Sequence, residues 1–429
     1  MNRRNFLKLA GMTGLAVAAP FGARIVRAGA EPYPGPFFVL INAAGGWDPV
    51  YLCDPKPPGP LNRLYAGPAS AGAIQYAPVA VDAATLGLGP EAQPYLMSNE
   101  AFFTKYGPQL TVINGIDTAT NNHDGGTRAA WSGRLQEGFP AFGALTAAIR
   151  SPGNPLAYIS SGGYDETDGV VPVTRMDNLG ALRKAAFPDV LNPEDPESGR
   201  FLPADAMSPI RQAQPERHAD LQAPHRLPPA HAAMNENYNA RQHHGALQKL
   251  AIPGELVTLP GYQLSDLQGL MQQAQLALAA FQAGLAVAVN LNLGGFDTHG
   301  NHDTDQIRQL AKLLAGVDFL MTEAAKVGLD GQLIVVLNSD FARGPGYNGD
   351  SIYAGKDHWP ITSAMAMGPG IAGGRVVGGT DADQQAIPHN GTVLRPEHIH
   401  HTLRGLAGIA DHEITRRYPL PGADLGLFG

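Results

Sequence analysis

Residues 37–42 read Phe-Phe-Val-Leu-Ile-Asn, a short apolar run without polar alternation, which predicts a strand buried on both faces. It stops at Ala43-Ala44-Gly45-Gly46-Trp47-Asp48, a glycine turn that sets an acid at the carboxyl end of the strand. Residues 110–114 repeat the pattern and end at Gly115-Ile116-Asp117. Helices are expected over 123–135 and 142–150, and a weaker strand over 156–160. Leu267, Leu270, Met271, Ala274 and Leu278 recur at three- and four-residue spacing with glutamines between, which predicts an amphipathic helix over 264–283. Another helix is expected over 233–250. From there strands at 285–293, 333–338 and 363–367 alternate with a helix over 304–327, the signature of βαβ units. The expected fold is α/β: a doubly wound, mainly parallel sheet flanked by helices, as one domain over 31–429. Between 187 and 229 the text turns to Pro, Ala, Asp and Arg with little periodicity, so an inserted surface region or lid is expected over about 187–232.

Composition changes this picture at a few points. With 44% hydrophobic residues in 429 the chain can bury a sizeable core, while Gly 52 and Pro 36 predict long loops. Lys+Arg 30 against Asp+Glu 38 leaves a net charge of −8, which argues against a general nucleic-acid or anionic-membrane binder. Cys53 is the sole cysteine, which excludes an internal disulfide and a multi-cysteine zinc site, and it reads as a structural thiol. Gly-x-Ser-x-Gly, Gly-x-Gly-x-x-Gly and Walker-type sequences are missing, so neither an α/β-hydrolase elbow nor a nucleotide cofactor is indicated.

Arg3-Arg4-Asn5-Phe6-Leu7-Lys8 is a twin-arginine pattern, followed by a mildly apolar stretch and the small residues Ala28-Gly29-Ala30. The apolar stretch is far shorter than the roughly 20 residues of a membrane span. A Tat signal over residues 1–30 is expected, handled by the Tat translocon and cleaved near Ala30, with a periplasmic mature protein and no membrane span.

In open α/β sheets ligands gather outside the carboxyl ends of the strands. Acids and histidines fall there repeatedly: Asp48, then Asp117 through His123, then Asp297 and His299, then Asp340, with Asp357 and His358 beyond it. Asp297 and His299, two residues apart on a strand-end turn, can converge on one ion with ligands suited to zinc, manganese or iron. Asp303 reads as the cap of the following helix. Asp340 leaves a strongly apolar strand and needs a partner, either a metal or Arg343. His358 closes a glycine-rich excursion over 344–355 and precedes the next strand. His400 and His401 are neighbours on a helix and point about 100° apart, so one of them should face solvent. His243 and His244 read as surface residues.

These segments, in order, resemble a known family. The twin-arginine leader, Gly45-Gly46-Trp47-Asp48, Asn122-His123, Trp131-Ser132-Gly133, Phe296-Asp297-Thr298-His299, Ser339-Asp340-Phe341-Ala342-Arg343, Asp357-His358 and His400-x-Thr402 are similar to the exported bacterial family labelled domain of unknown function 1501. That family looks like a branch of the alkaline phosphatase and sulfatase superfamily of metal-dependent hydrolases. The resemblance implies two divalent metals, zinc first with manganese, iron or calcium as alternatives. The ligand positions it implies here are Asp48, His123, Asp297, His299, Asp340, His358 and His400. Two positions depart from it: Asn122 stands where relatives place serine, and Phe341 where superfamily members have a ligand histidine.

Two functions are compatible with this reading. One is an exported metal-dependent hydrolase of phosphate or sulfate esters, small or polymeric. There Arg343 or the start of the His123 helix would steady the anion, Asn122 would position it, and Thr127 would be a fallback nucleophile. The other is a catalytically degenerate relative serving as a periplasmic binding or assembly protein.

Overall fold

The computed structural model describes residues 33–152, 156–175, 197–227 and 256–429, with isolated positions between these stretches. The expected Tat signal, most of the helix expected over 233–250, and the His243–His244 pair lie outside the described residues. The strands are β1 (Phe37–Ala43), β2 (Ala69–Ala71), β3 (Ile74–Tyr76), β4 (Thr111–Asp117), β5 (Tyr158–Ser160), β6 (Val173–Arg175), β7 (Ala288–Leu293), β8 (Leu333–Ser339), β9 (Ala342–Tyr347), β10 (Lys356–Trp359), β11 (Ile361–Met367), β12 (Arg375–Thr380) and β13 (Ala386–Ile387). The helices are α1 (Asn99–Tyr106), α2 (His123–Ser132), α3 (Phe142–Arg150), α4 (Ala204–Gln222), α5 (Ser265–Gln282), α6 (His302–Lys326), α7 (Pro396–Leu406) and α8 (Glu413–Arg416).

Among the described residues nine strands form one sheet in the order β13-β12-β4-β11-β8-β1-β7-β5-β6. The unbroken apolar runs of β1 and β8 take its centre, where every residue of both strands is buried. β7 and β8 flank β1 in parallel, and α6 carries the chain from one to the other. The sheet is mainly parallel, as expected, but β11 runs antiparallel between β4 and β8, and β13 is antiparallel to β12. Register sets Asn42 opposite both Asn292 and Asn338, so the carboxyl edge of the three central strands turns polar together.

The rhythm of α5 is borne out: Leu267, Leu270, Met271, Ala274 and Leu278 are all buried. Its glutamines do more than face water. Gln268 accepts from Leu259 N at 2.8 Å, Gln275 accepts from Val257 N at 2.8 Å, and Gln272 donates to Val257 O at 2.9 Å. They satisfy the backbone of residues 256–259, which belong to none of the described strands.

Two segments without a clear pattern take a definite form, and the cap expected at Asp303 is corrected. The Pro- and Ala-rich region contains the 19-residue helix α4, which lacked periodicity because it buries no apolar stripe. The glycine-rich excursion is a hairpin of β9 with β10, held by ladder bonds rather than by side-chain pattern. Asp303 does not cap α6: the helix starts at His302 after Asn301, and Asp303 instead accepts from Tyr51 at 2.7 Å, Tyr347 at 2.6 Å and Arg63 at 2.7 Å. Among the described residues no helix is long and apolar enough to cross a membrane.

Candidate metal centre

Four loops meet at the carboxyl edge of the sheet. After β7 the chain alternates strictly, with Phe296 and Thr298 buried and Asp297 and His299 exposed. A turn in which Thr298 N donates to the Phe296 carbonyl at 3.0 Å leaves Asp297 and His299 on one side, as their spacing on a strand-end turn predicted. α2 begins at His123, just past the end of β4. β11 starts at the same edge because it is antiparallel, so His358, on the strand before it, arrives beside them. β8 ends at Ser339 and delivers Asp340 next to it.

Each imidazole is fixed by its outer nitrogen. His123 Nδ1 meets Asp340 Oδ2 at 2.8 Å, His299 Nδ1 meets Asp357 Oδ1 at 3.2 Å, and His358 Nδ1 meets the Asn121 carbonyl at 2.7 Å. All three partners are acceptors, so each Nδ1 is the donor, and in the neutral form of each ring the lone pair lies on Nε2. Those Nε2 atoms converge on Asp297, at 3.6 Å for His123, 3.1 Å for His299 and 3.2 Å for His358. Ligand atoms of His123, Asp297 and His358 all lie within 4.8 Å of one another. His299 Nε2 faces His358 Nε2 at 3.0 Å, two lone pairs that repel unless a cation or a proton lies between them. Phe341, in the position of an expected ligand, forms a wall instead, with its ring 4.8 Å from that of His123 and 4.4 Å from that of His358.

The charges are consistent with a carboxylate at the centre. Burial lifts the Asp297 carboxyl, but hydrogen bonding and charge from Arg343 outweigh it and leave it below its usual range. The Asp340 hydrogen bond raises His123 above its ordinary value against the opposing effect of burial. Asp297 also borders a groove of about 410 Å³ that includes Tyr262, Asp305, Arg308 and Lys312.

Beneath the centre lies a second polar network, fully buried. Asp48 accepts from Val50 N at 2.9 Å, from His302 Nε2 at 2.9 Å and from Lys356 Nζ at 2.7 Å. His302 Nδ1 accepts from Thr298 Oγ1 at 2.8 Å, and Gln306 donates to the same hydroxyl at 3.0 Å. Burial pushes His302 down, keeping it neutral; burial also raises Asp48, but Lys356 and His302 outweigh this and hold it ionised. Thr298 stands between Asp297 and His299, so this network anchors the loop that carries them. His302, Gln306 and Lys356 had no assigned role in the sequence reading. Lys356 lies 308 residues from Asp48, and nothing local to either announces the pair.

Several expected site residues are thus placed elsewhere. Asp48 sits in the buried network and not in the cluster, because an ammonium and an imidazole claim it. Asp340 is partnered by His123 and Gly45 N, not by Arg343. Arg343 is fully buried and spends its N–H groups on the carbonyls of Gly45, Gly46 and Lys356, on Asp297 and on His299, which leaves none for a substrate anion. Asn122 caps α2 by accepting from Gly125 N at 3.0 Å. Thr127 lies one turn beyond His123, half-buried, without a side-chain hydrogen bond to the cluster. Cys53 is a buried free thiol.

His400 is also outside the cluster. It is buried, with Nε2 3.0 Å from the Ala130 carbonyl, while His401 turns outward to Pro421 O. Burial pushes His400 down from the ordinary 6.5 to about 3. Below about pH 6.5 the unfolded chain takes a proton there that the folded chain refuses, so stability drains away as pH falls toward about 3. At about pH 5 that loss is about 2 kcal/mol. His400→Gln is expected to narrow the gap in Tm between about pH 7 and about pH 5; a gap as wide as that of the wild type would contradict this.

Residues 230–426 match the model of the family described as "Protein of unknown function (DUF1501)". The expected family is therefore found over that segment, which includes Asp297, His299, Asp340, His358 and His400; Asp48 and His123 lie before it. No protein with a curated description matches the sequence. The solved structures similar to this chain include Ps i-CgsB in complex with k-i-k-neocarrahexaose, at 11% identity and a TM-score of 0.40, covering 91% of this chain and 75% of that one. PsFucS1 sulfatase from Pseudoalteromonas sp. aligns at 12% identity and a TM-score of 0.38, covering 100% of this chain and 76% of that one. A TAB5 alkaline phosphatase mutant with Mg bound in its M3 site aligns at 10% identity and a TM-score of 0.35, covering 88% and 99%. Superpositions this loose set no correspondence between residues.

Proposed function

We propose, taking the match of residues 230–426 to the DUF1501 family as the starting point, that this is an exported metal-dependent hydrolase-like protein acting on phosphate or sulfate esters. The observation that carries the reading is the convergence of three Nε2 atoms on the Asp297 carboxylate, each ring fixed from behind by an acceptor. Three nitrogens and one oxygen suit zinc first, with manganese or iron as alternatives. His123, His299, His358 and Asp297 would hold the ion, with Asp340 and Asp357 orienting two of the rings. An ion there supplies Lewis-acid polarisation of an ester oxygen.

The protein's own residues do the rest. The α2 N-terminus at His123 favours an anion, and the groove beside Asp297 gives an ester's leaving group room. With Asn122 engaged as a cap, water is the nucleophile rather than a side chain. The twin-arginine leader supports export through the Tat translocon to the periplasm.

Purified full chain is expected to retain a divalent metal, to lose thermal stability with a chelator, and to hydrolyse an ester in a broad phosphatase and sulfatase panel. Bound metal without turnover would identify the degenerate alternative, a binding or assembly protein built on the same centre. A chain with no metal and no response to chelator would remove the centre itself.

A further inference from the structure

Resting on the metal centre proposed above, we infer that the chain holds one divalent ion, not the two that the resemblance implies, because Lys356 takes the second cation's place on Asp48. Asp48 and Lys356 are both 0% exposed, and their atoms are 2.7 Å apart. Asp48 already serves three donors: Oδ1 takes Val50 N, and Oδ2 takes both His302 Nε2 and Lys356 Nζ.

Lys356 is equally committed. Its Nζ donates to Asp48 and to the Leu61 carbonyl at 2.7 Å, and lies 4.9 and 5.0 Å from the ring centres of Tyr51 and Tyr347. A divalent ion at Asp48 would have to displace this ammonium or sit beside it, and like charges a few ångströms apart in a buried site repel strongly.

The buried acid beside His123 offers no alternative. Asp340 accepts from Gly45 N at 3.0 Å and His123 Nδ1 at 2.8 Å on one oxygen, and the other faces Asn42 Nδ2 at 3.4 Å. Paired metal centres place their ions about 3.5–4 Å apart and need a ligand set for each. The ligand atoms that approach one another, those of His123, His299 and His358, all gather on the single carboxylate of Asp297, so among the described residues they make one ligand set and not two. Lys356 is therefore a positioning residue. It neutralises Asp48, Asp48 orients His302, and His302 holds Thr298 between the two ligands Asp297 and His299.

The test is zinc counted per full-length chain after loading with zinc alone and dialysis, with thermal melts of the same samples. Wild type is expected to hold about one zinc. Lys356→Met strands a buried carboxylate and should lower Tm by about 5 °C or more. The double variant Asp48→Asn with Lys356→Met removes both charges, so it should recover most of that Tm and still hold about one zinc. Two zincs in the wild type, or none in a folded double variant beside one in the wild type, would overturn the one-ion inference while leaving the centre standing. No zinc in the wild type would instead remove the centre, and this inference with it.

Discussion

Asp297→Asn is expected to weaken divalent-metal binding by at least about a hundredfold, more than the loss typical of an outer-shell partner. The substitution keeps the side chain's shape and leaves an amide oxygen for Arg343, which donates to Asp297 Oδ1 in the native protein. What disappears is the charge on which three Nε2 atoms converge at 3.1–3.6 Å. Asparagine is a far poorer ligand than carboxylate for a divalent ion facing neutral imidazoles. Metal content and chelator-dependent Tm should both lose their response in this variant. His401→Ala, on the outer face of α7, should leave both unchanged. Native metal affinity in Asp297→Asn would show that the imidazoles converge for another reason, such as sharing a proton.

Gly45→Ala is expected to destabilise the fold by about 3 kcal/mol or more, adding left-handed strain to overpacking. Gly45 has φ +116°, and an added Cβ would stand 2.5 Å from Asp297 N and 2.9 Å from the Phe296 carbonyl carbon. Both are backbone atoms, so no side-chain rotation relieves the clash. The same residue donates to Asp340 Oδ2 at 3.0 Å and accepts from Arg343, so moving it shifts the Asp297 loop and the partner of His123 together. Denaturant unfolding should show the stability loss and metal analysis a reduced content. Gly349→Ala, where an added Cβ meets nothing within 4 Å, should change stability by less than about 0.5 kcal/mol. A Gly45→Ala protein as stable as Gly349→Ala would mean the turn has room that this geometry denies.

These two positions show how much could be read before the fold was known. The alternation Phe296-Asp297-Thr298-His299 carries its own geometry, since apolar and polar positions two apart put Phe296 and Thr298 inside and leave Asp297 and His299 outside together. Gly45, by contrast, is legible only as a turn. That its missing Cβ makes room for the Asp297 backbone is a contact across the sheet.

Local pattern determined the central strands, the buried stripe of α5 and the gathering of acids at strand ends, because apolar runs, helical period and glycine turns act within a few residues of themselves. Strand direction was beyond its reach. A parallel β11 would begin at the opposite edge and carry His358 away from Asp297; its antiparallel pairing with β4 and β8 is what brings the third imidazole in. The same holds for the acids, which look alike in sequence. Asp297 faces three imidazoles at an exposed edge, Asp340 orients one of them, and Asp48 is neutralised by Lys356 from 308 residues away. A charge's role depends on which opposite charge the fold brings within about 3 Å and on whether water is shut out, and both are properties of the tertiary structure alone.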